Sequence, residues 1–538
     1  MIQKLRERLA LAPSSALQRF RGIGGPSLRV GITFDGPRPP HWAASLVDFF
    51  GGLSGMETLT FTVTARPSAT PNPPWLARQL YTATQRMQNP FDATQPLPGQ
   101  RPAESIAAAN CDVVVWLAST RDSASPPEAL ARNGVFTVAF GHRPQGIPFW
   151  DEVSGRNATS ATTIFWHDRS LAVGRPVRQV ETSTSQGLEI TANTEAPLIA
   201  TIRLLAGLCL DLQRDVVRGT ERLRAVPEVA TLALTPAAWP SALEMGRFIA
   251  KKVLRSARLR ATARGREPRW FIAVRANEGK SIAGCSAPDV SGFRDLPLVP
   301  GSEQMADPFL FETDGRTYLL FEDVPAGTTR GRLACAEIFA DGHYSNVVVI
   351  LERDYHLSYP CVFESDGAIY MIPESCEADR VELYRFARFP FAPERVATPI
   401  EGLPLVDTTP IHLDGIWYFF TTTSQPFMES LLFWADRLEG PWRLHLASPI
   451  SCSVRNSRGA GKLFWKNGRL FRPTQDCSVR YGYAMTVNEV TLLTPTDFAE
   501  HPVAWVPPSW SPGLLCTHTW NESSLLQVVD GIRLVRAT

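Results

Sequence analysis

The sequence has almost no net charge, little lysine, no paired cysteines and no long apolar run, and each scarcity removes a class of function. Fifty-four basic residues, six of them lysine, face 53 acidic ones for a formal charge of +1. A chain that neutralises many phosphates carries a clear basic excess, so nucleic acid is not the expected partner. The nine cysteines (Cys111, Cys209, Cys285, Cys335, Cys361, Cys376, Cys452, Cys477, Cys516) form no C-x-x-C pair and are odd in number. That pattern argues against a disulfide framework or a zinc cluster and for reduced, buried thiols, and no metal site is expected. The most apolar stretch, 197–212, carries Arg203 and Asp211 and falls short of the roughly 20 residues that cross a bilayer. Residues 1–27, beginning MIQKLRERLALAPSSALQRFRG, have scattered charge and no uninterrupted apolar segment. They read as an amphipathic helix rather than a signal peptide, and the expected location is cytoplasmic. H-E-x-x-H, P-loop and G-x-S-x-G motifs are missing, and GIGGP at 22–26 precedes a strand instead of following one, unlike a dinucleotide fingerprint.

What is present points to a folded chain of two or three domains: 538 residues, 44% hydrophobic and 20% charged. The 44 prolines, 37 glycines, 14 tryptophans and 28 phenylalanines suggest many turns and aromatic surfaces. In residues 28–215, LRVGITFDG from Leu28, CDVVVWLAS from Cys111 and GVFTVAFG from Gly134 read as buried strands separated by helix-length segments. The expected fold is α/β with a mostly parallel sheet, whose ligand crevice lies just after Asp35 and Gly141, at the carboxyl ends of the strands. Residues 216–267 read as a helical connector. Between Arg247 and Arg269 nine basic residues face only Glu267. A basic helix with Phe248, Ile249, Val253 and Leu254 as its apolar face suits a membrane surface, at the inner face, or a glycosyltransferase partner; the plainer reading is an interdomain helix with a solvated basic side.

From 268 to 538 the pattern becomes short strands repeated at about fifty residues, the mark of a propeller or array. ADPFLFETDGRTYLLFE (306–322), SYPCVFESDGAIYMIPES (358–375), TTPIHLDGIWYFFTT (408–422), RGAGKLFWKNGRLFRPTQD (458–476) and an incomplete THTWNESSLLQVVDGIRLV (517–535) are five copies. They predict an all-β, five-bladed β-propeller. Pro308, Pro360 and Pro410, spaced 52 and 50 apart, set the register, and the Asp-Gly or Asn-Gly of each copy is expected to make a hairpin turn. Aligning the copies gathers Asp307, Tyr359, Asp407 with Thr409, Arg455 with Arg458, and His518 at one end of the channel, with Glu322, Glu374, Gln475 and Asp476 following. Carboxylates beside aromatic rings are what glycosidic chemistry needs: one protonates the leaving oxygen, another serves as base or nucleophile. Asp307, Glu374 and Asp407 are the catalytic candidates; Tyr359, Thr409, Arg455, Arg458, Gln475, Asp476 and His518 are the substrate-binding candidates. The plainer alternative is that these carboxylates cap backbone amides. His356, in DYHLSYP, reads more readily as structural than as a sugar contact.

The strings ADPFLFE, HLSYPCVFESDGAIYMIPES, VELYRFARFP, DTTPIHLDGIWYFF, LEGPWRLH, RPTQDCSVRYG and HTWN resemble the propeller domain at the N-terminus of glucosamine inositolphosphorylceramide transferases and bacterial relatives. That domain is similar to the five-bladed propellers of arabinanases, invertases and family 43 glycosyl hydrolases. The resemblance runs from about Trp270 and implies that Asp307 stands where a catalytic base would lie. The first half, through VFTVAFGHRPQGIPFWDEVSGRNATSATTIF, more faintly resembles formyltetrahydrofolate-dependent formyltransferases, which implies that His142 stands where their catalytic histidine does. An asparagine two residues earlier and an aspartate further on would complete that site. Phe140 and Ala172 occupy those positions, so the resemblance implies a degenerate formyltransferase-like domain, with formyltetrahydrofolate as cofactor only if it acts.

Three functions follow as expectations. The first is a protein of glycan or surface-polysaccharide biosynthesis whose propeller axis binds a sugar or nucleotide-sugar and carries out glycosyl transfer or hydrolysis. The second is N-formylation of an amino sugar by the first half. The third is a non-catalytic assembly module for a glycosyltransferase or a membrane surface.

Overall fold

The computed structural model describes residues 27–63, 75–77, 79, 95–117, 131–141, 149–155, 157–171, 174–184, 194–225, 240–279, 282, 288–424 and 428–536. The expected N-terminal helix, His142 and Ala172 lie outside them. The chain forms two compact units, Met1–Ser256 and Ala257–Thr538.

The first unit holds one seven-stranded sheet. Its strands are β1 (Leu28–Asp35), β2 (Met56–Val63), β3 (Arg101–Pro102), β4 (Val113–Trp116), β5 (Val135–Phe140), β6 (Thr159–His167) and β7 (Arg175–Ser183), in the order β3-β2-β1-β4-β5-β6-β7. The first five in that order pair in parallel, as expected of a mostly parallel sheet, and β6 and β7 add an antiparallel edge that makes it mixed. Leu28, Val30, Ile32 and Phe34 are all buried on one face of β1, and Thr33 on the other, as a strand covered on both sides requires. A Cβ at Gly31 would meet Cys111 Sγ at 3.0 Å and the Phe61 ring at 3.2 Å, so its bare backbone lets those side chains close over β1. Helix α1 (His41–Gly51) follows β1, and α2 is Trp150–Gly155. The apolar run near 200 becomes α3 (Glu195–Arg214), buried except along a half-buried stripe that includes Arg203, Gly207, Asp211 and Arg214, and packed on α1, β1, β6 and β7. Helices α4 (Val216–Ala225) and α5 (Ala242–Ala263) follow. No described helix is long and apolar enough to cross a membrane.

The second unit is a five-bladed β-propeller. Four blades are continuous in sequence, with inner strands beginning at Ser302, Ser358, Leu405 and Arg458. The fifth is composite: Trp520–Glu522 and Leu526–Arg536 form its inner strands, and Arg266–Ala276 and Arg294–Asp295 its outer ones. This pairing joins the two ends of the unit and closes the ring, leaving no open inner edge. Asp314-Gly315, Asp366-Gly367, Asp414-Gly415 and Asn467-Gly468 all have positive φ at both residues, the two-residue hairpin that the sequence predicts. The fifth Asp-Gly is a correction. Asp530 and Gly531 lie within the strand Leu526–Arg536, and the turn comes earlier, where the Ser523 amide reaches the Leu526 carbonyl at 2.8 Å. Apolar cores fill the seams between blades; Phe309, Leu333, Cys361 and Met371 pack between the first two, and Met305, Leu319, Val274 and Val528 between the fifth and first.

Candidate functional site at the propeller axis

A repeated backbone irregularity builds the site. In the first three inner strands the antiparallel register slips between Ala306 and Phe309, Ser358 and Cys361, and Val406 and Thr409. The left-handed residue of each bulge is Asp307 (φ 50), Tyr359 (φ 47) or Asp407 (φ 52). A bulge re-aims one side chain, and a non-glycine residue held there persists only where surrounding contacts over-determine it. The third copy therefore aligns by Asp407-Thr408 and not by Pro410, which falls two residues late; the true spacings are 52 and 48. On the second strands Glu322, Glu374 and Thr422 stand opposite Ala306, Ser358 and Val406, and Gln475 stands opposite Arg458.

Asp307, Asp407, Asp530 and His518 are each at most 3% exposed. Asp307 Oδ1 accepts from Thr519 Oγ1 at 2.7 Å and lies 3.3 Å from His518 Nδ1, while Oδ2 accepts from the Tyr359 amide at 3.2 Å. Asp530 accepts from the Asp307 amide at 2.9 Å and lies 3.1 Å from the same histidine nitrogen. Burial works against a charged imidazole, but Asp530 and Asp307 together push His518 up to about 10. Burial would likewise raise Asp307, yet the His518 hydrogen bond and charge hold it below its ordinary value. Ligand atoms of Asp307, His518 and Asp530 lie within 4.8 Å of one another, close enough to ligate a cation. Across the channel Arg458 grips Asp407 through Nε at 2.6 Å and Nη2 at 3.3 Å, reaches Glu374 at 3.8 Å and lies under the Tyr481 ring at 4.9 Å. Gln475 Nε2 adds a bond to Asp407 at 3.2 Å. Tyr359 turns its hydroxyl toward Thr409 Oγ1 at 2.8 Å and the Gly461 amide at 2.9 Å, tying three blades together.

Nearer solvent are Glu374 and Glu322, with side chains 10% and 12% exposed. Glu374 accepts from Ser358 Oγ at 3.0 Å; burial and the Asp407 charge, opposed by Arg458, push it up to about 7. Glu322 is also pushed up, by burial and the charges of Asp307 and Glu374. His356 Nδ1 accepts from the Gly331 amide at 3.0 Å, which leaves the ring proton on Nε2, 3.4 Å from Glu322. Trp270 and Tyr481 flank His518, with ring centroids 4.7 and 5.2 Å away.

The sequence-derived candidates thus divide. Asp307, Glu374, Asp407, Tyr359, Thr409, Arg458, Gln475 and His518 share one polar network. Arg455 and Asp476 pair with each other at 3.3 Å, beside the Trp505 indole. Asp530, Thr519, Tyr481 and Trp270 were missed: Asp530 passed for a turn residue, and the others have no counterpart in the remaining copies. In the first unit, Phe140 ends β5 in an aromatic cluster, edge-on to Trp42 at 5.2 Å and Phe149 at 6.1 Å.

Residues 285–523 match the family described as glucosamine inositolphosphorylceramide transferase 1, N-terminal. The chain is 29% identical over 258 residues to glucosamine inositolphosphorylceramide transferase 1 of Oryza sativa subsp. japonica, covering 46% of this chain and 33% of the relative. It is 30% identical over 228 residues to the Arabidopsis thaliana protein of the same name, covering 41% and 29%. The match thus spans about a third of the length of these relatives. Among solved structures, a family 117 glycoside hydrolase from Zobellia galactanivorans is 10% identical at TM-score 0.33, covering 49% of this chain and 91% of its own. An exo-β-1,3-galactanase from Clostridium thermocellum is 11% identical at TM-score 0.34, covering 46% and 64%.

Proposed function

We propose that the propeller axis is a saccharide-binding site of glycan biosynthesis in which Glu374 delivers a proton to a glycosidic or leaving oxygen. The observation that carries this reading is Glu374 itself, a carboxyl at the rim that holds its proton to near neutrality, between the Ser358 hydroxyl and Arg458. Trp270 and Tyr481 offer apolar faces for a sugar ring, and Arg458 offers donors for its hydroxyls. The relatives named for transfer of glucosamine support a carbohydrate substrate, and a nucleotide-sugar or amino sugar is the first ligand to try.

Glycoside hydrolysis would also need an ionised carboxylate free to act as base or nucleophile. Asp307, proposed for that part from sequence, has its oxygens occupied by Thr519, His518 and the Tyr359 amide, so it orders the floor of the site. Glu322 is likewise pushed up, by burial and by the charges of Asp307 and Glu374. A site whose two carboxyls nearer solvent, Glu374 and Glu322, are both pushed up fits binding or transfer better than two-carboxylate hydrolysis, which needs one of them ionised. The formyltransferase-like reading of the first unit is retained as a non-catalytic one, because Phe140 leaves no oxyanion donor.

Calorimetric titration of the full chain with monosaccharides and nucleotide-sugars tests this. Binding is expected to survive in Glu374→Gln and to weaken about tenfold or more in Trp270→Ala, since stacking and burial of a ring edge contribute about 1 to 2 kcal/mol. Failure of the whole panel to bind would remove the saccharide reading; transfer that persists undiminished in Glu374→Gln would remove the proton-donor role alone.

A further inference from the structure

Helix α5 begins with a reciprocal capping box. Ser241 Oγ accepts from the Glu244 amide at 3.2 Å, and Glu244 Oε2 accepts from the Ser241 amide at 2.7 Å. The cap fixes which residues face inward. Met245 and Phe248 are buried against Trp150, with Ile249 packed beside them. The apolar face expected from sequence is therefore divided: Phe248 and Ile249 dock inward, while Val253 and Leu254 face outward, 63% and 59% exposed, with Leu243 at 63%. At 100° per residue Leu243 and Leu254 share one line of the helix, and Val253 stands about a quarter turn to one side of it. Arg247 and Lys251 follow on the other side of that line, about 40° and 80° round from Leu243, and Arg255 about 120° round, with Glu244 between the last two; the three cations are exposed and none is paired with a carboxylate among the described residues.

From this surface we infer that α5 docks on an anionic lipid bilayer, with Leu243, Val253 and Leu254 entering the headgroup boundary and Arg247, Lys251 and Arg255 held beside the lipid phosphates. Exposed leucine and valine on an ordered helix have no stabilising contact in water. Three unpaired cations along the same side select a negatively charged apolar boundary over a neutral one. The helix lies along the surface, being too polar to cross. Docking of this kind concerns α5 alone and stands whether or not the propeller binds a saccharide.

The test is flotation of the full chain with vesicles of phosphatidylcholine alone or containing a third phosphatidylglycerol. Partitioning is expected into the anionic vesicles at low salt, with loss in 0.5 M NaCl. Arg247→Gln, Lys251→Gln and Arg255→Gln should each lower the partition coefficient about fivefold. Leu243→Ser with Leu254→Ser should abolish it; because both side chains are exposed, an unchanged circular dichroism spectrum is expected. Absence of binding to anionic vesicles at low salt, equal binding to neutral ones, or binding that survives both sets of substitutions would overturn the inference. Capture of an acidic protein by the wild-type helix in the absence of vesicle binding would assign the surface to a protein and overturn it equally.

Discussion

Asp407 and Arg458 meet in a buried site, with Glu374 at 3.8 Å as a second acidic neighbour of the guanidinium. Asp407→Asn leaves a buried cation without its anion, so a loss of about 3 to 5 kcal/mol is expected in urea denaturation, with much of it recovered in Asp407→Asn combined with Arg458→Met. The protonation states carry a second expectation. Glu374 rises from 4.5 to about 7 and His518 from 6.5 to about 10, so both groups hold protons more tightly folded than unfolded. The Glu374 contribution is complete below pH 4.5 and lost as pH rises through 7; that of His518 is complete below 6.5 and lost as pH rises through 10. The melting temperature should accordingly fall as pH rises across both windows. Glu374→Gln should remove the lower fall and melt above wild type at pH 8; a lower melting temperature there would contradict the assignment. His518→Gln should melt lower near neutrality, where Asp307 and Asp530 then repel, and lack the alkaline fall. Asp307, Tyr359 and Asp407 were legible because each sits at the same point of a repeated string. Asp530 was not: before glycine it carries the signature of a turn, and only pairing with a strand some 260 residues earlier makes it a channel carboxylate.

Hairpins and bulges show why some elements are legible and others are not. The four Asp-Gly or Asn-Gly turns depend on two adjacent residues that tolerate positive φ, a purely local property. The bulges leave no comparable mark, because a left-handed Asp or Tyr is held by partners in other blades. Proline sits next to the bulge in the first two copies but two positions beyond its equivalent in the third, which misplaced the alignment there. The fourth inner strand is broken into Arg458–Gly459 and Phe464–Lys466 around Gly461 (φ 127), where a Cβ would collide with the Trp520 carbonyl. That break brings the Gly461 amide to the Tyr359 hydroxyl. Tyr359→Phe keeps the ring but strands the amide, and a loss of about 1 to 3 kcal/mol is expected, read as a lower denaturation midpoint at unchanged slope. An unchanged midpoint would mean that the hydroxyl does not join the blades.

The seam that closes the ring and the site share the same residues in this molecule. Asp307 begins the first blade, yet its carboxyl is held by Thr519 and His518, and its amide by Asp530, all from the fifth. The fifth blade exists only when Leu526–Arg536 pairs with Arg266–Ala276 along their full length. No local periodicity announces such a partnership, so the sequence shows an incomplete fifth copy where the structure has a whole blade. Gly531 is the narrow point: a Cβ there would lie 2.7 Å from the Cys516 carbonyl oxygen and 3.1 Å from Leu514. Gly531→Ala should force those segments apart at about 1 to 3 kcal/mol, weakening the seam without removing any polar group from the channel. If closure organises the site, this variant should lose both thermal stability and ligand affinity and become more susceptible to proteolysis between 510 and 520. Loss of stability with affinity intact would show instead that the first four blades organise the site and that the fifth serves only to hold the ring shut.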